Sequence, residues 1–112
     1  MSIKIERIGS NLVKEISYIL ASEVKDNDIK FVTVTDVKVT NDLSFAKVYF
    51  TVLDDEKRDS TLEALNSAKG FIRKELASRV DIRHIPELEF VFDESIEYGK
   101  KIENIIDKIH EN

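Results

Sequence analysis

The stretch from Ala46 to Val52 constrains the fold more than any other part of the chain, because its residues alternate in polarity. Four apolar residues share one parity and three residues with polar groups share the other: Ala46, Val48, Phe50 and Val52 against Lys47, Tyr49 and Thr51. Successive side chains of a β-strand point to opposite faces, so this period of two predicts a strand with one buried face. The rest of the chain must supply elements that cover that face.

A second strand is predicted just before the first. Residues 29–40 are rich in β-branched residues, which favour extended backbone. Their apolar positions change phase near Asp36, with Val32 and Val34 before the change and Val37 and Val39 after it. This indicates either a β-bulge or a strand that is buried on both faces. Residues 41–44, Asn-Asp-Leu-Ser, have turn chemistry, so the two strands are predicted to form an antiparallel hairpin.

Two segments have helical periodicity instead. Residues 4–25 carry apolar residues at steps of three and four, which predicts a first amphipathic helix. Residues 62–79 form a second amphipathic stretch after an acidic loop. Both segments are long enough to cover a small sheet.

The last third of the chain adds one strand and one helix to the prediction. Pro86 ends any preceding helix and opens a short strand, whose core side is predicted to consist of Leu88, Phe90 and Phe92. Residues 93–95, Asp-Glu-Ser, are typical of an N-terminal cap for a final helix. The chain is therefore predicted to be a single α+β domain, residues 1–112, with a three-stranded sheet and helices on one face.

Gly70 lies in the middle of the second amphipathic stretch. A glycine inside a helix is about 1 kcal/mol less favourable than alanine. One interpretation is a kink at Ala68 and Gly70 between two short helices. The backbone N–H groups at the start of the second helix would then suit a phosphate, next to Lys69, Arg73 and Lys74. The alternative is a glycine that lets the helix approach the sheet, and the two interpretations are compatible.

The charge distribution favours a polyanionic partner more than the net charge does. The chain has a formal net charge of −5, which by itself argues against nucleic acid. However, residues 69–84 hold five basic residues against two acidic ones, whereas residues 54–65 and 87–112 are acidic. One basic segment thus lies between acidic ones. The alternative is that these charges only solvate helix faces.

No pattern indicates catalysis or a cofactor. The chain has no cysteine, and His84 and His110 lack the spacing of a metal site. There is no glycine-rich phosphate loop, and the carboxylates of residues 54–56 fall in a predicted surface loop, where nothing raises a pKa. No segment has the apolar length of a membrane span, nor the N-terminus the core of a signal peptide. We expect a cytoplasmic protein without metal, cofactor or membrane partner.

Three stretches carry a resemblance to a known family. They are VTVTDVKVTNDLSFAKVYFTVL at residues 32–53, LNSAKGFIRKEL at residues 65–76, and the segment from Arg83 to Phe90 with its following Asp-Glu-Ser. Together they resemble the bacterial ribosome-binding factor A family along nearly the whole chain. That family has a variant of the type II KH fold, in which a helix-kink-helix with an Ala-x-Gly signature replaces the usual GxxG loop. Residues 68–70 occupy that place here.

The resemblance implies a function. Members of this family are non-enzymatic assembly factors that bind the small (30S) ribosomal subunit and its 16S rRNA precursor during late maturation, assist rRNA processing and support growth in the cold. A monomer that acts by binding alone is expected here. The alternative is a non-catalytic protein-protein interaction module without RNA binding, which would dock a partner through the hairpin edge or the acidic C-terminal helix.

Loss of the GxxG loop favours contacts to sugar and phosphate over recognition of bases. Eight basic residues are the candidates for these contacts: Lys69, Arg73, Lys74, Arg79, Arg83, Arg7, Lys14 and Lys47. Arg73 and Lys74 are expected to face solvent. Arg83 has an alternative role, pairing with Glu87 or Glu89 to fix its loop. Two aromatic residues, Phe31 and Tyr49, are candidates for base stacking, although the need to cover the sheet favours packing in the core.

Overall fold

The computed structural model describes residues 3–24, 29, 31–82 and 84–95. The elements follow in the order α1 (Ile3–Ser22), β1 (Val32–Val39), β2 (Phe45–Val52), a 3-10 turn (Asp55–Lys57), α2 (Arg58–Arg79) and β3 (Glu87–Phe92). The strands form one sheet in the order β1-β2-β3, with β1 antiparallel and β3 parallel to β2. This confirms the predicted α+β class and three-stranded sheet. The final helix predicted after residue 95 lies outside the described residues.

The central strand β2 carries the core, as its alternation predicts. Ala46, Val48 and Phe50 have no exposed surface, whereas the intervening Lys47 is exposed. Both helices and β3 contribute buried side chains to the same cluster, among them Leu12, Ile16, Ile19, Leu65, Ile72, Leu76, Leu88 and Phe90. The helices therefore cover one face of the sheet and leave Lys47 on the other.

The hairpin shows why the valines of β1 change phase. Val34 pairs with Phe50 and Asp36 pairs with Tyr49, so Thr35 is an extra residue in the ladder. This β-bulge returns Val37 to the buried side of the sheet, which decides between the two alternatives that the sequence leaves open. The Thr35 hydroxyl donates a hydrogen bond of 2.5 Å to the Asp93 carboxylate. This bond connects the residue just after β3 to the bulge.

The turn between β1 and β2 is organised by Asp42. Its carboxylate oxygen Oδ1 accepts hydrogen bonds from the Ser44 hydroxyl at 2.7 Å, the Thr40 hydroxyl at 2.8 Å and the Ser44 backbone N–H at 3.1 Å. These bonds lower the pKa of Asp42 to about 2, and the bond from the Ser44 hydroxyl contributes most. Leu43 completes the turn with a φ of 62°, in the left-handed region.

The predicted division of the second amphipathic stretch into two helices is wrong. The helix α2 runs for 22 residues through Gly70 without interruption, and Gly70 has no positive φ. Leu65 and Ile72, on either side of the glycine, are both buried in the same core. Their burial stabilises both halves of the helix and offsets the low helix propensity of Gly70. No new helix start arises at Gly70. The alternative of a packing glycine also fails there, because a Cβ atom at Gly70 would have no neighbour within 4 Å.

The glycine that permits close packing is Gly9, in α1. A Cβ atom built there would lie 2.6 Å from the carbonyl oxygen of Val37. This close approach brings α1 onto β1 just after the bulge. Because the neighbouring atom belongs to the backbone of a paired strand, it has little freedom to move away.

Alanine substitution at the two glycines should have opposite effects on stability. Gly9→Ala should lower the free energy of unfolding by about 1–3 kcal/mol, because α1 must move away from β1. Gly70→Ala should raise it by about 0.5–1 kcal/mol, since the helix gains a better former in open space. Urea denaturation of the two variants beside the unsubstituted protein measures both. A stable Gly9→Ala variant would contradict the packing described here.

Candidate nucleic-acid interface

The second half of α2 presents lysines with no ion-pair partner in the described part of the chain. Lys74 is exposed and Lys69 is half-buried. Gly70, one turn before Lys74, leaves bare helix backbone between them, and Phe71 is 43% exposed beside it. These four residues form a surface on which a cationic group, an aromatic ring and an unobstructed backbone lie together. We call residues 69–71 and 74 the basic end of α2.

Arg73 is half-buried and hydrogen-bonded within the protein, which corrects the prediction that it simply faces solvent. Its Nε donates a hydrogen bond to the carbonyl oxygen of Pro86 at 3.2 Å, and its Nη2 donates one to the carbonyl oxygen of Ile85 at 2.9 Å. The guanidinium fork therefore fastens α2 to the loop that leads into β3. Arg73 positions the basic end of α2, with two of its five N–H donors held by these carbonyls.

Removal of the guanidinium at position 73 should therefore weaken the fold. Arg73→Gln should lower the free energy of unfolding by about 1–3 kcal/mol, because two carbonyls lose a charged donor. Lys74→Gln, one residue along, should change it by less than about 0.5 kcal/mol. Thermal and urea unfolding of the pair measure the difference. Equal stability of the two variants would show that the Arg73 contacts do not support the loop.

Arg79 is also engaged within the protein. Its guanidinium lies 3.4 Å from a carboxylate oxygen of Glu23 and 3.8 Å from one of Glu75. It also lies over the ring of Tyr18, 4.7 Å from the centroid. These contacts join the end of α2 to the end of α1 and largely balance the charge. Arg79 therefore adds less positive potential to the surface than its sequence position suggests.

The remaining candidates divide between two surfaces. Arg7 and Lys14 are exposed on the solvent side of α1, in the same layer as α2. Lys47 lies on the opposite face of the sheet, where its partner across the hairpin is Lys38, a lysine that the sequence analysis does not single out. The ammonium group of Lys38 lies 5.6 Å from the centroid of the Tyr49 ring. Arg83, and with it the predicted pairing to Glu87 or Glu89, lies outside the described residues.

The sequence indicates the exposure of the aromatic residues with unequal success. The exposed Phe71 could have been found from its position beside a glycine in a basic segment. Phe31 is 62% exposed, so the prediction that it packs in the core is wrong, whereas Tyr49 is half-buried. Phe31 lies just outside β1, which begins at Val32, so the alternation of the strand does not place it in the core.

The acidic residues 54–56 lie in the 3-10 turn and just before it. Asp54 caps the 3-10 turn, with its Oδ1 accepting a hydrogen bond of 3.0 Å from the backbone N–H of Glu56. All three side chains are exposed. No cluster of metal-ligating side chains occurs in the part of the chain that the structure describes. Likewise, none of the helices described is long and apolar enough to cross a membrane.

The fold and these surfaces define a small α+β binding domain with a basic helical face. A family model described as Ribosome-binding factor A matches residues 4–106, and the chain belongs to this family. Ribosome-binding factor A of Staphylococcus carnosus is 56% identical over 106 residues, which cover 94% of this chain and 92% of the relative. That of Staphylococcus epidermidis is 53% identical over 112 residues, covering 99% and 97%.

Solved structures of the family share the fold. The crystal structure of ribosome-binding factor A from Thermus thermophilus superposes with a TM-score of 0.72 at 25% identity, over 78% of this chain and 93% of the other. A homology model of the Thermus thermophilus factor, fitted into a cryo-EM map of its complex with the 30S subunit, gives a TM-score of 0.66 at 26% identity, over 77% and 91%. These likenesses agree with the KH-like fold that the resemblance implies.

Proposed function

We propose that this protein binds the small ribosomal subunit and assists the late maturation of its 16S rRNA precursor. The observation that carries the proposal is the basic end of α2, on a fold whose Thermus thermophilus relative has been fitted into the map of a 30S complex. Support of rRNA processing and of growth in the cold belongs to the same proposal. The protein acts in the cytoplasm as a monomer and by binding alone, without catalysis.

The chemistry of the basic end suits RNA backbone. The ammonium groups of Lys69 and Lys74 attract phosphates, and the bare backbone at Gly70 lets a sugar-phosphate chain approach closely. The exposed ring of Phe71 offers a stacking surface to an unpaired base. None of these groups distinguishes one base from another by hydrogen bonds. Recognition of RNA shape, through phosphates held at fixed positions, follows from this arrangement.

Other cations have different parts in the proposal. Arg7 and Lys14 extend the basic surface along α1, because they lie in the same helical layer. Arg73 and Arg79 keep α2 in place through their carbonyl and carboxylate partners. Arg83 remains a candidate for a phosphate contact at the edge of this surface. The bound domain would hold an immature conformation of the subunit until later factors release it.

Charge reversal on the helical layer should abolish most subunit binding. Lys69→Glu combined with Lys74→Glu should weaken binding to free small subunits by tenfold or more, on the order of 1.4 kcal/mol or above, because phosphates then meet like charge. Co-sedimentation with small subunits, large subunits and assembled ribosomes measures the loss. With about four phosphate contacts, the log-log slope of affinity against salt should be about −3 to −4.

The matched control changes the same charge on the opposite face of the sheet. Lys38→Glu combined with Lys47→Glu should leave binding within about threefold of the unsubstituted protein. Retention by the α2 variant with loss in the sheet variant would move the RNA site to the sheet. Salt-insensitive binding unaffected by either variant would favour the protein-interaction module. Absence of binding to free small subunits would contradict the proposed function itself.

A further inference from the structure

Two large apolar side chains lie exposed together at one end of the hairpin. Phe31 is 62% and Leu53 is 81% exposed, and both lie just beyond the cross-strand pair of Val32 and Val52. With that pair they line a groove of about 220 Å³. We call these four residues the Phe31–Leu53 corner. Clustered apolar exposure of this kind is typical of an interaction surface.

Phe31 and Leu53 do not belong to the hydrophobic core, whereas Val32 and Val52 pack against its edge. Leu53 follows Val52 and Phe31 precedes Val32, so both lie just outside the paired strands. The exposure is therefore a feature that the fold tolerates and does not need for its stability.

The charges around the corner are predominantly negative. Asp54 lines the groove, Asp55 and Glu56 follow it in the 3-10 turn, and Asp59 lies in the first turn of α2; all four are exposed. Lys57 is the basic residue among the groove's lining. Arg58, the next cation, has its guanidinium 3.7 Å from the centroid of the Phe92 ring and 4.0 Å from a carboxylate oxygen of Asp55, whose charge it partly balances. Such a rim repels phosphate and attracts lysine and arginine side chains.

The size of the groove narrows the class of ligand. Sites for small molecules usually measure about 300–1,000 Å³, so this groove has room for one or two amino-acid side chains. An apolar floor with an acidic rim matches a peptide segment in which an apolar anchor is flanked by basic residues. RNA carries the wrong charge for the rim.

We infer that the Phe31–Leu53 corner docks a lysine- and arginine-rich segment of a small-subunit ribosomal protein, with an apolar side chain of that segment in the groove. The inference rests on the proposed function, because it takes the partner from the same particle. It assigns the acidic start of α2 to protein and the basic end of the same helix to RNA.

Photo-crosslinking from position 53 tests this assignment. Leu53→benzoylphenylalanine is bound to small subunits and irradiated, and the crosslinked partner is identified by mass spectrometry. Phe45→benzoylphenylalanine is the matched control, since Phe45 is 53% exposed at the other end of β2. Position 53 should crosslink to a basic segment of one ribosomal protein, and position 45 should not. Circular dichroism confirms that each variant is folded.

A second variant tests the charge of the rim. This variant combines Asp55→Asn, Glu56→Gln and Asp59→Asn and leaves the Asp54 cap intact. The yield of the crosslink from position 53 should fall about tenfold, because three carboxylates can no longer pair with basic side chains of the partner. An unchanged yield would overturn the inference.

Co-sedimentation of the same samples separates the two ways to fail. One outcome is that the protein sediments with small subunits while position 53 crosslinks only to rRNA, or crosslinks to ribosomal protein no more than position 45 does. In either case the inference is wrong and the proposed function stands. If the unsubstituted protein does not sediment with small subunits, the proposed function is wrong and the inference is overturned with it.

Discussion

The structure depends on the complete burial of one face of β2. Ala46, Val48 and Phe50 are inaccessible to solvent, so the strand must be paired on both edges and covered from one side. The antiparallel partner β1 is connected to β2 by the short turn at residues 40–44. The parallel partner β3 requires a long crossover, and α2 is that crossover. The helix that carries the basic surface is thus fixed by the same requirement that forms the sheet.

Arg73 links this packing to the surface that we propose binds RNA. A crossover helix needs a defined return to the sheet, and the Arg73 guanidinium holds the returning loop through two carbonyl groups. The basic residue at the centre of the basic segment therefore supports the fold, whereas its neighbours Lys69 and Lys74 make no ion pair within the described part of the chain. A basic segment can thus contain a residue that is bonded within the fold and, one helical turn away, a residue without an ion-pair partner in the described part of the chain.

The charges at the two ends of α2 are compatible with the proposed binding of RNA by an acidic protein. Acidic residues at the start of a helix and basic residues near its end complement the helix dipole. Along α2 this arrangement places Asp59 and Glu63 at one end of an exposed stripe and Lys74 at the other. The negative net charge of the chain is therefore compatible with one surface that attracts phosphate. It also limits the orientations in which the domain approaches a polyanion.

The sequence predicts the parts of the fold that depend on local periodicity. The alternation in β2 and the helical stripe of α1 are found where the pattern places them, and the phase change near Asp36 corresponds to a β-bulge, one of the two alternatives that the sequence leaves open. The sequence does not predict the carbonyl partners of Arg73, which lie 12 and 13 residues away in the chain, or the pairing of Arg79 with Glu23, which is 56 residues away. The continuity of α2 through Gly70 is decided by burial on both sides of the glycine, which a local propensity argument underestimates.

Directed hydroxyl-radical probing tests the central claim, that the basic end of α2 faces rRNA and its acidic start does not. The chain has no cysteine, so a single iron chelate can be attached at Ala77→Cys or at Glu63→Cys, both exposed and about 21 Å apart along the helix. On small subunits, the account predicts strong cleavage of 16S rRNA from position 77 and little from position 63. Equal cleavage from both positions, or stronger cleavage from position 63, would contradict it.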